Sequence, residues 1–171
     1  MKKQFLSAVL FLGLGVAGCS DTPSREESSS GNDAAPHSAL NFAVTELPAI
    51  DGKIHTLLPG DQPTILVFWA TWCAPCRREL PALGEAFGRF GDRAHWFGVL
   101  AGSDEQVDLA KVRALTAKHA VRYPQLRDRA GELVKSLDVK GTPTIIVLGP
   151  GGEIRYRDHL LPGSWEPFLG D

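Results

Sequence analysis

Cys73 and Cys76 are separated by two residues, in Trp72-Cys73-Ala74-Pro75-Cys76. The continuous apolar, β-branched run 64–70 precedes them and reads as a strand buried on both faces. Leu80, Leu83, Phe87 and Phe90 follow at helical spacings. Cys73 therefore stands where a strand passes into a helix, and Cys76 lies one turn into that helix. A helix start presents unpaired N–H groups and a partial positive charge, which stabilise a thiolate and lower its pKa. The two-residue gap lets the sulfurs bond across the first turn, where the fixed φ and missing N–H of Pro75 do no harm. On this reading Cys73 is the exposed attacking thiolate and Cys76 the resolving thiol.

Two other chemistries use the same pattern. Half of a zinc site needs a second Cys or His pair, and the histidines here (His37, His55, His95, His119, His159) are scattered. A structural disulfide across so short a loop would constrain the unfolded chain very little. The position at a strand–helix junction favours redox exchange, with no metal and no cofactor expected.

The elements that must hold this pair are legible in outline. Residues 41–47 and 53–57 flank Asp51-Gly52 and predict a β-hairpin. Pro81 within the first helical pattern predicts a kink. Residues 95–101 read as a second buried strand. Ser103-Asp104-Glu105-Gln106 offers an N-cap and an acidic first turn for a helix reaching about His119. A short helix is expected over 131–137 and a third apolar strand over 144–148. Pro150-Gly151-Gly152 then predicts a turn before an edge strand at 153–157, and a last short helix covers 164–169. This order implies βαβ crossovers feeding a mixed sheet with helices on both faces, an α/β fold.

Residues 1–18 combine Lys2-Lys3, an apolar run from Phe5 to Val16 and small residues before Cys19, the pattern of a secretory signal. The run is shorter than the roughly 20 residues a comfortable membrane span needs. Val16-Ala17-Gly18-Cys19 resembles the bacterial lipobox, which implies lipidation of Cys19 and a membrane anchor. Residues 19–39 are rich in Ser, Asp, Glu, Pro, Gly and Asn without an apolar face, and read as a flexible tether. The folded domain is expected over 40–171. With 171 residues, 43% hydrophobic and 22% charged, the chain suits one compact domain plus an accessory segment. A net charge of −2 with no basic patch excludes a nucleic-acid partner, and three cysteines are too few for a disulfide-held scaffold.

The segment Phe68-Trp69-Ala70-Thr71-Trp72-Cys73-Ala74-Pro75-Cys76-Arg77-Arg78-Glu79-Leu80-Pro81 resembles the active-site region of the TlpA/ResA/DsbE family. These are membrane-tethered bacterial thiol–disulfide proteins, and the resemblance covers roughly residues 40–170. It implies a thioredoxin-like fold: a mixed central sheet flanked by helices, here with an N-terminal β-hairpin extension. Gly141-Thr142-Pro143-Thr144 resembles the cis-proline loop of such folds, which implies that Thr142 and Pro143, with Trp72, contact the substrate chain. Glu79 matches a position where some members carry an acid that tunes the cysteines or relays a proton. As a residue on a helix it is equally well a solvated carboxylate. Arg77 and Arg78 read as solvent-facing. Thioredoxins of the cytoplasm bury an Asp six residues before the first Cys, and here that position is Val67.

The resemblance implies a disulfide-containing client protein, a membrane electron donor of thiol type, a monomer, and a location on the periplasmic or extracytoplasmic face. The carboxyl end (Gly152-Glu153-Ile154-Arg155-Tyr156-Arg157, then Pro162-Gly163-Ser164-Trp165-Glu166) is similar to the cytochrome c maturation branch. A disulfide-donating oxidase would use the same residues, although Ala74-Pro75 lacks the His of strongly oxidising relatives. A copper metallochaperone on this fold typically uses Cys-x-x-x-Cys. A peroxidase places Thr where this chain has Ala70.

Overall fold

A computed structural model of the chain describes residues 45–170. The expected signal, Cys19, the tether and the start of the folded domain at residue 40 lie outside the described residues. Among the described residues no helix is long and apolar enough to cross a membrane.

Strands β1 (Thr45–Pro48) and β2 (Ile54–Leu57) pair antiparallel, forming the expected hairpin. Gly52 closes it at φ 87°, in the left-handed region that glycine enters without a Cβ penalty. The Asp51 side chain accepts from the Lys53 N–H at 3.0 Å. The hairpin docks on the main sheet through a bridge between Ala49 and Leu126 and a 2.9 Å bond from Ile50 N–H to the Gln125 carbonyl.

The main sheet comprises β3 (Thr64–Trp69), β4 (His95–Leu100), β5 (Gln125–Arg127), β6 (Thr144–Leu148) and β7 (Ile154–Asp158), in the order β5-β4-β3-β6-β7. The β5-β4-β3 half is parallel; β6 runs antiparallel to β3, and β7 antiparallel to β6. The carboxyl ends of β3, β4, β5 and β7 and the amino end of β6 therefore share one edge of the sheet. Helix α1 (Ala74–Phe90) connects β3 to β4, α2 (Leu109–Lys118) connects β4 to β5, and α3 (Glu132–Ser136) lies between β5 and β6. Helix α4 (Glu166–Leu169) is the last element among the described residues.

β3 and β6 are buried along their whole length, so alternate residues feed two cores. On one face Ile65, Val67, Trp69, Ile145 and Val147 pack with Leu80 and Leu83 of α1 and with Leu169 of α4. On the other, Leu66, Phe68, Ile146 and Leu148 pack with Leu133 of α3 and with Leu47 and Leu57 of the hairpin. Gly84 lets α1 approach the end of α2: a Cβ there would lie 1.8 Å from the His119 carbonyl oxygen.

Two details depart from the sequence reading. α2 begins at Leu109, because Asp108 accepts from the Lys111 N–H at 3.0 Å and so provides the cap. Ser103 instead closes a separate turn, with its N–H bonded to Gln106 Oε1 at 2.9 Å. Strand β5 was not foreseen, being three residues long and without a flanking pattern. α1 continues through Pro81 to Phe90, and the Arg77 carbonyl goes without its in-helix donor.

Candidate active site

Trp69 ends β3, a turn closed by the Cys73 N–H on the Ala70 carbonyl follows, and α1 begins at Ala74. Cys73 is the N-cap of α1. Its Sγ accepts from the Cys76 N–H at 3.2 Å, as a Ser or Asp side chain does at other helix starts. The sulfur thus takes one of the donors that the first turn leaves unpaired, and a thiolate there gains both that bond and the helix's positive end. Cys73 and Cys76 form a disulfide with Sγ atoms 2.05 Å apart. In this form Cys73 is 5% exposed and Cys76 2%, so the expectation of an exposed Cys73 does not hold for the closed pair. What stands open around it is Trp72, 57% exposed, with Ala74 and Pro75.

The helix supports the turn before it. Arg77 Nη1 donates to the Thr71 carbonyl at 2.8 Å, so Arg77 is half-buried and holds the approach to Cys73 in place. That corrects its reading as a solvent-facing charge; Arg78 is exposed as expected. A 2.8 Å bond from Trp69 Nε1 to Gln125 Oε1 ties the end of β3 to β5. The Gln125 amide in turn donates to the Tyr123 carbonyl at 2.9 Å.

Val67 is 1% exposed and belongs to the apolar cluster that contains Cys73 and Cys76. Among the described residues no carboxylate is fully buried in the core. Glu79 is the acid closest along α1 to Cys76. It is half-buried, and its Oε2 is enclosed with no hydrogen-bond partner. Burial raises the Glu79 pKa above the usual carboxylate value, opposed in part by the charge of Arg78. Its charge is also felt on β7. Burial, then Asp158, then Glu79 push the Tyr156 phenol upward.

The Thr142–Pro143 peptide bond is cis, and the register that pairs Thr144 with Phe68 puts Pro143 at the same sheet edge as the Trp69–Cys73 turn. Pro143 is buried and Thr142 half-buried. Thr144 Oγ1 donates to the Gly141 carbonyl at 2.7 Å and closes this loop. His159 Nδ1 lies 2.6 Å from the Pro143 carbonyl oxygen. Arg77, Gln125 and His159 were all missed as parts of the site. Gln125 follows Pro124 in a segment with no strand pattern, and His159 is a lone histidine after an edge strand.

Residues 33–157 match the AhpC/TSA family. The chain belongs to the AhpC/TSA family. Within it the chain is similar to Thiol-disulfide oxidoreductase ResA of Bacillus thuringiensis subsp. konkukian, 28% identical over 68% of this chain and 64% of the relative. It therefore spans under two thirds of that relative's length. It is 31% identical to Sporulation thiol-disulfide oxidoreductase A of Bacillus subtilis, over 66% of this chain and 68% of the relative. The crystal structure of StoA from Bacillus subtilis superposes with a TM-score of 0.58 at 27% identity, covering 68% of this chain and 87% of that one. A secreted Mycobacterium tuberculosis disulfide oxidoreductase, described as homologous to E. coli DsbE, shares the fold. Its TM-score is 0.58 at 17% identity, over 70% of this chain and 85% of that one. The thioredoxin-like fold expected from the motif is thus the fold of this AhpC/TSA chain, including its hairpin extension.

Proposed function

We propose that this protein is a thiol–disulfide oxidoreductase that reduces disulfides of client proteins outside the cytoplasm. The observation that carries the reading is Cys73 as N-cap of α1, its sulfur bonded both to Cys76 Sγ and to the Cys76 N–H. In the reduced protein the Cys73 thiolate attacks one sulfur of a client disulfide, and the other client sulfur leaves as a thiolate. The Cys76 thiolate then attacks Cys73 Sγ, expels the second client thiolate and closes the Cys73–Cys76 bond. Two electrons pass to the client, and a donor dithiol must restore the pair. With Val67 where an acid would otherwise sit, Glu79 is the group that takes the Cys76 proton. Trp72, Thr142 and Pro143 form the surface on which the client chain lies.

The same proposal includes a lipid anchor on Cys19, a tether over 19–39, and a membrane electron donor of thiol type. No cofactor is required and the protein acts as a monomer. Apocytochrome c is one client class that the sequence resemblance at the carboxyl end offers. Relatives named thiol-disulfide oxidoreductase support the chemistry, and the signal and lipobox pattern supports the location.

The reduction potential of the Cys73–Cys76 couple tests the direction. A value near −270 mV, that of thioredoxin, is expected, whereas one near −120 mV would make the protein an oxidant. Cys19→Ala in the full chain should move the protein from the membrane to the soluble fraction. An unchanged membrane fraction would remove the anchor from the proposal.

A further inference from the structure

The loop that carries Pro143 is held from behind by a side chain far along the sequence. A backbone carbonyl only accepts, so the 2.6 Å contact between His159 Nδ1 and the Pro143 carbonyl requires the proton on Nδ1. Thr144 Oγ1 lies 3.3 Å from the same nitrogen and spends its own proton on the Gly141 carbonyl, so it serves as the second acceptor of a forked bond.

His159 is itself fixed. Asp158 Oδ1 accepts from the His159 N–H at 2.6 Å and from the Leu160 N–H at 3.1 Å. Tyr156 donates from its hydroxyl to the Leu160 carbonyl at 2.8 Å. Residues 156–160 thus form a braced corner at the carboxyl end of β7, on the sheet edge that carries Cys73. The corner leaves Leu160 64% exposed at that edge.

We propose that His159 is a positioning residue for client binding: through its Nδ1–H it holds the Pro143 carbonyl, and with it the Thr142 backbone that meets the client chain. This rests on the reading of the protein as a disulfide reductase. His159 touches neither sulfur, so its loss should weaken docking of an extended protein chain while leaving the redox couple as it is. One hydrogen bond that no longer preorganises the loop corresponds to a roughly five-fold change in KM.

The test compares wild type, His159→Ala and His159→Asn in insulin reduction, alongside the reduction potential of each. Asn is the rescue because its amide nitrogen occupies nearly the place of Nδ1. Expected for His159→Ala is a KM about five-fold higher, a kcat within about two-fold and an unchanged potential, with His159→Asn returning KM to within about two-fold of wild type. An unchanged KM in His159→Ala overturns the inference. So does His159→Asn as impaired as His159→Ala, or a potential that shifts together with KM, which would mean general damage to the site. If wild type itself fails to reduce insulin, the reading as a reductase falls and takes this inference with it, an outcome distinct from the other three.

Discussion

Trp69 and Gln125, 56 residues apart, share a buried 2.8 Å hydrogen bond from the indole Nε1 to the amide oxygen. The bond joins the strand that delivers Cys73 to the outer parallel strand β5. It exists because Gly98 on the intervening strand has no side chain: a Cβ there would lie 2.1 Å from Gln125 Oε1. The Gln125 amide fills that space, and its oxygen and nitrogen are both engaged.

Gln125→Leu should therefore destabilise the domain by about 1–3 kcal/mol, since it leaves the buried indole N–H and the Tyr123 carbonyl without partners. Gly98→Ala should cost a similar amount by displacing the amide. In a Gln125→Ala background the obstruction is gone, so Gly98→Ala should cost much less there. Urea denaturation of the two single variants and the double variant checks this non-additivity; additive costs would break the link between the two positions.

How much of this was readable beforehand follows from range and length. β3 and β6 announce themselves because a strand buried on both faces must be apolar nearly throughout, and after an opening threonine 65–70 and 145–148 are. The Cys73-x-x-Cys76 pair is local and sits at a change of period from strand to helix. β5 has three residues, too few to show any period. At the start of α2 two capping residues compete, and Asp108 prevails over Ser103 because its carboxylate meets the Lys111 N–H. Two of the contacts that brace the site join residues 56 and 16 apart, Trp69 with Gln125 and Pro143 with His159. No local pattern encodes such pairs, since they arise only when the sheet aligns its edge.

Two glycines of α1 should respond to alanine with opposite signs. Gly84 faces the His119 carbonyl oxygen at 1.8 Å from an added Cβ, and backbone cannot move aside cheaply. Gly84→Ala should destabilise by at least about 1–3 kcal/mol despite better helix propensity. Gly88 has open space around it, so Gly88→Ala should stabilise by roughly 0.5–1 kcal/mol. Thermal melts of the two variants check the pair of signs.

The two cysteines should fail in different ways. Cys76→Ser removes the proposed resolving thiol, so a client mixed disulfide at Cys73 should accumulate and appear on non-reducing gels and by mass spectrometry. Cys73→Ser should abolish insulin reduction and trap nothing, because Cys76, 2% exposed in the closed pair against 5% for Cys73, is the less exposed of the two. Full activity in Cys73→Ser would remove the proposed attacking group.

Glu79 should control both the pH profile and the acid–base dependence of stability, with opposite benefit. As the proposed proton acceptor for Cys76 it must be ionised, so the resolving step should slow as pH falls through its raised pKa. Glu79→Gln should slow resolution by roughly hundred-fold or more near neutral pH and flatten that acidic limb. Stability runs the other way. Burial raises the folded-state pKa of Glu79 above the unfolded value of 4.5, so the folded state holds the proton more tightly. Below pH 4.5 both states are protonated and no penalty exists. As pH rises through the raised folded value, the penalty for the ionised, half-buried carboxylate comes fully into force. Glu79→Gln should therefore be more stable than wild type at neutral pH and lose that advantage in acid. Stopped-flow resolution of a mixed disulfide and urea midpoints across pH check the two limbs separately. A Glu79→Gln variant with wild-type kinetics but raised stability would leave Glu79 a tolerated half-buried acid and assign the Cys76 proton to water.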